Sequence, residues 1–215
     1  ATKIEGTLAD LNKVFVDVVT STHFDTTSTN IKNVNITDKT VTADAVSKIG
    51  VAAGSAVVKA TVTADSAANL VEALKDASEN ALTLTVNGAT ATATNLDALN
   101  GKTSVDVTVN ATEVTGTFNQ LKKVYVTDKA DFTALGNENI VIDEASTAAA
   151  DIDTIANATT GKVTATLDAT TAISDATVTA LTHVNGTTDV ISFTAGVANN
   201  TADATALVAL AAKVI

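Results

Sequence analysis

The 215-residue chain contains no cysteine, proline, methionine or tryptophan, and aromatic residues make up only 3% of it. Without cysteine there is no disulfide framework, zinc-thiolate cluster or thiol nucleophile, so stability rests on packing and backbone hydrogen bonds. All 13 basic residues are lysine, and the formal net charge is -11. Binding to nucleic acid depends on neutralising backbone phosphates, so an arginine-free acidic chain is expected to bind neither nucleic acid nor anionic lipid. No apolar run reaches the roughly 18 residues that a membrane helix needs, so no membrane insertion is expected. The absence of methionine and of a signal peptide reads as a processed product or an excised piece of a longer chain.

The 46% of hydrophobic residues are enough for a core. With so few aromatics, that core must consist of Ala, Val, Leu and Ile, which suits thin layers between repeated units. Threonine, roughly a fifth of the chain, favours strands and leaves a hydroxyl on their outer face.

A short alternating strand, a polar turn and an Ala-rich stretch ending in Leu or Ile recur about every 16 to 27 residues, a spacing typical of repeat proteins. The strand cores read Val14/Val16, Val34/Ile36, Val58/Ala60/Val62, Leu82/Leu84/Val86, Val105/Val107/Val109, Val124/Val126, Ile140/Ile142, Val163/Ala165/Leu167 and Val190 to Phe193. Apolar spacings of three and four, as in Ala67 to Leu74 and Ala149 to Ile155, predict short helices between them. The expected fold is therefore a β-rich α/β solenoid of repeated parallel strand plus short helix units. Its rival is a pair of Thr-rich β-sandwich domains.

On a longer scale, the run from Gly6-Thr7 to Val14-Phe15-Val16 aligns with the run from Gly116-Thr117 to Val124-Tyr125-Val126, 110 positions later. Residues 1–110 and 111–215 accordingly read as two repeat blocks of one continuous solenoid.

Several expected strands end in an acid: Asp38, Asp65, Asp128, Asp143 with Glu144, and Asp168. Stacked along one edge, Asp128, Asp143, Glu144 and Asp168 would form a metal site offering hard oxygen ligands to Ca²⁺, the one cofactor the chain suggests. The competing reading is that each acid caps the following helix or turn. The Thr pairs 61/63, 83/85 and 164/166 read as solvated strand hydroxyls. His23 and His183, the only imidazoles, belong to no metal or nucleophile motif. Sequons begin at Asn35, Asn110, Asn157, Asn185 and Asn199, at a density that chance explains in so Thr-rich a chain. No catalytic residue is indicated, and the chain is not expected to be an enzyme.

The stretch Ala150-Asp151-Ile152-Asp153-Thr154-Ile155-Ala156-Asn157-Ala158-Thr159-Thr160-Gly161-Lys162-Val163-Thr164-Ala165-Thr166, followed by Ser174-Asp175-Ala176, resembles the Ala/Thr/Asp-rich repeats of bacterial surface-layer and giant cell-surface proteins. The resemblance implies an extracellular structural protein of the cell surface, self-associating into an array or filament as an S-layer subunit and often dependent on calcium. The alternative is an adhesin or ligand-binding solenoid module that contacts other cell-surface components.

Overall fold

The computed structural model describes residues 2–17, 31–78, 80–168, 174–192 and 204–213. The chain divides into two compact units. The first comprises Ala1–Gly88, Asn95–Asn110 and Ala130–Thr133, and the second comprises Ala89–Thr94, Ala111–Lys129 and Ala134–Ile215.

The first unit holds two parallel sheets. One has four strands in chain order, β1 (Lys3–Gly6), β2 (Asn33–Ile36), β3 (Val57–Thr61) and β4 (Ala81–Thr83). Its register sets Ile4 beside Val34 and Val34 beside Val58. The other sheet has three short strands, β5 (Thr85–Val86), β7 (Val107–Val109) and β9 (Phe132–Thr133). The second unit holds a five-stranded parallel sheet of β6 (Thr90–Thr92), β8 (Glu113–Gly116), β10 (Asn139–Ile142), β11 (Val163–Thr166) and β12 (Val190–Ser192). Parallel neighbours need a crossover, and short helices supply it.

Those helices are α1 (Leu8–Phe15), α2 (Ala43–Ala53), α3 (Ala67–Ala73) and α4 (Ala93–Asn100), then α5 (Phe118–Lys122), α6 (Ala149–Ala156), α7 (Asp175–Thr179) and α8 (Ala204–Ala211). Hydroxyl residues cap four of these eight: Thr7, Thr42, Ser66 and Thr117 each accept from a backbone N–H of the first turn. Most of the helices bury a narrow stripe, such as Leu11 with Phe15 or Ile152 with Ile155, as the i, i+3 and i, i+4 spacings require.

The expected continuous solenoid is not what forms. The single strand expected at Leu82/Leu84/Val86 divides at Leu84: residues 81–83 close the first sheet, 85–86 open the three-stranded one, and 90–92 begin the five-stranded one. Three separate sheets in two compact units replace one stack. The sandwich alternative fails too, because every strand pairing among the described residues is parallel and sandwiches are built from antiparallel sheets.

Two expected strands are helical. Val14 lies in α1 with Val16 at its C-cap, and Val124 and Val126 lie in a π-type turn, Lys123–Thr127. In both places apolar alternation was outweighed by an anchoring i, i+4 pair, Leu11/Phe15 and Leu121/Tyr125, buried at the helix end. The two segments aligned by sequence also share local form. Gly6 and Gly116 end strands, Thr7 and Thr117 cap helices, and each helix closes on a wide bond, Asp17 N–H to Asn12 and Asp128 N–H to Lys123.

Val107 is fully buried while Thr108, half-buried, shares a hydroxyl contact with Thr133 at 2.9 Å. Val107→Asp is expected to cost on the order of 4 kcal/mol or more by burying an unpaired charge, and Thr108→Asp less than about 1 kcal/mol. Chemical denaturation of both variants checks this; equal midpoints would invert the assigned face.

Candidate functional site

In the first unit, α1, α2 and α3 border a groove of about 860 Å³. Its apolar side is formed by Phe15, Val16, Val51, Ala52 and Ala73. Val51 is 61% exposed and Val16 39%. The rim carries Asp44, Asp65, Glu72 and Asp76 against Lys48 and Lys75, and Lys75 already pairs with Glu72 at 2.6 Å. Asp65 accepts from the Asn69 side-chain amide at 2.9 Å and the Ser66 N–H at 2.7 Å, which hold its carboxyl below the usual range.

In the second unit, the strongest polar cluster is buried. Glu138, 1% exposed, accepts at Oε2 from the Tyr125 hydroxyl at 3.1 Å and from the N–H groups of Gly136 at 2.8 Å and Asn137 at 3.2 Å. Its Oε1 has no hydrogen-bond partner among the described residues. Burial, and then the Glu138 carboxylate, push the Tyr125 hydroxyl far above its ordinary pKa, so it stays a neutral donor. The loop that delivers Glu138 places Ala134 at φ 61 and Gly136 at φ 114, the left-handed region that an alanine enters only at some cost.

A second polar cluster joins α6 to the turn after α7. Asp153 accepts from the His183 N–H at 2.6 Å, from His183 Nδ1 at 2.8 Å and from the Thr182 hydroxyl at 3.1 Å. Burial alone would raise its carboxyl, but the His183 and Thr182 hydrogen bonds outweigh that and the net direction is down. From the other side, Lys213 Nζ donates to the Leu181 carbonyl at 2.6 Å.

The strand-end acids serve the backbone. Asp38 Oδ2 accepts from Leu8 N–H at 2.6 Å and Glu144 Oε1 from Phe118 N–H at 3.1 Å, so each serves the first turn of the preceding helix instead of the following one. Glu144 Oε2 also accepts from Thr147. Asp128 closes the wide turn through its N–H, and the N–H groups of Asp143 and Asp168 bond to the carbonyls of Gly116 and Thr147. Among the described residues no three His, Cys, Asp or Glu side chains come together as metal ligands. His23 and the sequon at Asn199 lie outside the described residues.

Sequence reasoning missed the buried polar residues that precede the strands. Asn80 Oδ1 accepts from Val58 N–H at 2.8 Å, Thr103 Oγ1 from Leu82 N–H at 3.0 Å, and Asp189 Oδ1 from Val163 N–H at 2.7 Å. All three are at most 5% exposed. The available signal was a polar residue one or two positions before each apolar strand core.

No family model, curated protein or solved structure matches the chain. The resemblance to surface-layer and giant cell-surface repeats therefore finds no support among known proteins, and the three-sheet architecture replaces the solenoid and the repeat array that it implied.

Glu138→Ala strands the buried Tyr125 hydroxyl and two partly buried N–H groups and is expected to cost about 2 kcal/mol, while Tyr125→Phe removes one donor and costs about 1 kcal/mol. Glu138→Gln keeps an acceptor for those donors and is expected to stay within about 1 kcal/mol of the parent; thermal unfolding of the three variants ranks them. For Asp153, a folded-state pKa below the unfolded one gives stability that is present above the unfolded carboxyl range and lost as pH falls through the folded value. The protection factor of the His183 amide, its exchange rate relative to the unstructured chain at the same pH, should therefore fall in acid, and Asp153→Asn should abolish that acid step.

Proposed function

We propose that this chain is a non-catalytic, self-associating subunit that extends into a filament through the open edges of its sheets. The supporting observation is that β1 and β12, the first and last strands in chain order, each pair on one side only among the described residues. An edge strand presents a row of unpaired backbone groups, a ready template for another chain. Contact between two different edges is heterologous, and a heterologous contact that does not close into a ring generates a filament. A cell-exterior location fits a chain free of cysteine and methionine, the two side chains most readily oxidised.

A second reading, a ligand-binding module, rests on the groove between α1, α2 and α3 with its exposed Val51 and acidic rim. Apolar concavities with a few convergent polar groups are ordinary binding sites.

Sedimentation velocity over a hundredfold range of concentration discriminates between them. Self-association predicts a weight-average sedimentation coefficient that rises with concentration, and a concentration-independent monomer leaves the groove reading in front.

A further inference from the structure

The directions of the backbone groups on the two edge strands specify how a second copy joins. The carbonyls of Thr2 and Gly6 accept from the N–H groups of Lys32 and Thr37, so even-numbered residues of β1 turn toward β2. Lys3 and Glu5 then turn their N–H and C=O groups away from β2, because alternate residues of a parallel strand serve opposite neighbours. On β12, the Ser192 carbonyl accepts from Leu167 N–H at 2.7 Å. Val190 and Ser192 therefore serve β11, and Ile191 turns its backbone groups outward.

The side chains agree with this placement. Ile4 is only half-buried, although Val34 and Val58 in the same row are fully buried. β12 carries no charge that would repel an added strand, and the two charges on β1, Lys3 and Glu5, neutralise each other as an ion pair.

Resting on the self-association reading, we propose that β1 of one copy adds in parallel to β12 of another, with Ile4 beside Ile191. Ile191 N–H then donates to the Lys3 carbonyl of the added copy, and Glu5 N–H donates to the Ile191 carbonyl. Ile4 comes to lie against a buried neighbour, as Val34 and Val58 already do. On the opposite face, Ser192 stands next to Glu5, about 5 Å away across the pair.

Two experiments test this. Glu5→Pro removes an N–H that no strand of the same copy uses, and proline is tolerated on an edge strand. The variant should keep the parent circular dichroism and melting temperature while its association weakens about tenfold or more, the loss expected for one interfacial hydrogen bond. Because the chain has no cysteine of its own, Glu5→Cys and Ser192→Cys can be prepared separately and mixed with a short thiol-to-thiol cross-linker. The mixture should give covalent dimers that neither variant gives alone. If the parent associates but Glu5→Pro associates equally well and the mixture yields no dimer, the strand addition is wrong and self-association stands. If the parent stays monomeric throughout, self-association itself falls and the strand addition with it.

Discussion

The strands β3, β4 and β11 each begin where a crossover returns from a helix, and near that start a buried N–H must find a partner inside the structure. An unpaired buried N–H costs about as much as a lost hydrogen bond. Asn80, Thr103 and Asp189 meet that demand, accepting from Val58 of β3, Leu82 of β4 and Val163 of β11. Thr159 works in the same way on a carbonyl, donating to Glu138 O at 2.8 Å while accepting from Gly161 N–H. The sheets depend on these side chains because they fix where each new strand starts relative to its predecessor. Without that fixed start, the small aliphatic core would tolerate slippage by two residues, which keeps the same side chains facing inward.

The packing around these contacts is close. A Cβ at Gly161 would overlap the backbone of Glu138, and one at Gly186 would overlap the Ala212 carbonyl. Such approaches let successive crossovers lie backbone on backbone, which suits a core of Val, Leu, Ile and Ala filled without tryptophan or methionine. Among the described residues Tyr125 is the largest fully buried side chain, and its hydroxyl needs a partner and finds it in Glu138.

Much of the local structure was legible in the sequence. The strands at Val34/Ile36, Ile140/Ile142 and Val163/Ala165 and the helices carrying Leu70 and Ile155 stand where alternation and helical spacing placed them. The break at Leu84 was not legible, because an alternating run looks the same whether it serves one sheet or is shared by two. Nor was the helical state of Val14 and Val124, where partners four residues away decide and a two-residue period misleads. Asp38 and Glu144 were visible as acidic strand ends, but the N–H groups they serve lie 30 and 26 positions away, on Leu8 and Phe118, a distance that no local pattern encodes. The Asp153 and His183 pair is hidden for the same reason. His183 has no informative neighbour in sequence and acquires its partner only when α6 and the turn after α7 meet.

The spans of the buried side-chain bonds bear on how the chain reaches this state. Val58 to Asn80, Leu82 to Thr103 and Val163 to Asp189 join residues 21 to 26 positions apart. Closing loops of such similar size costs nearly the same entropy each time, since even a doubling of length adds only about 0.6 kcal/mol. Within each unit, then, no early contact must wait for a distant part of the chain. Assembly can begin at any adjoining strand pair and spread outward, a kinetic simplicity uncommon among parallel sheets, which usually fold slowly because their pairings are remote.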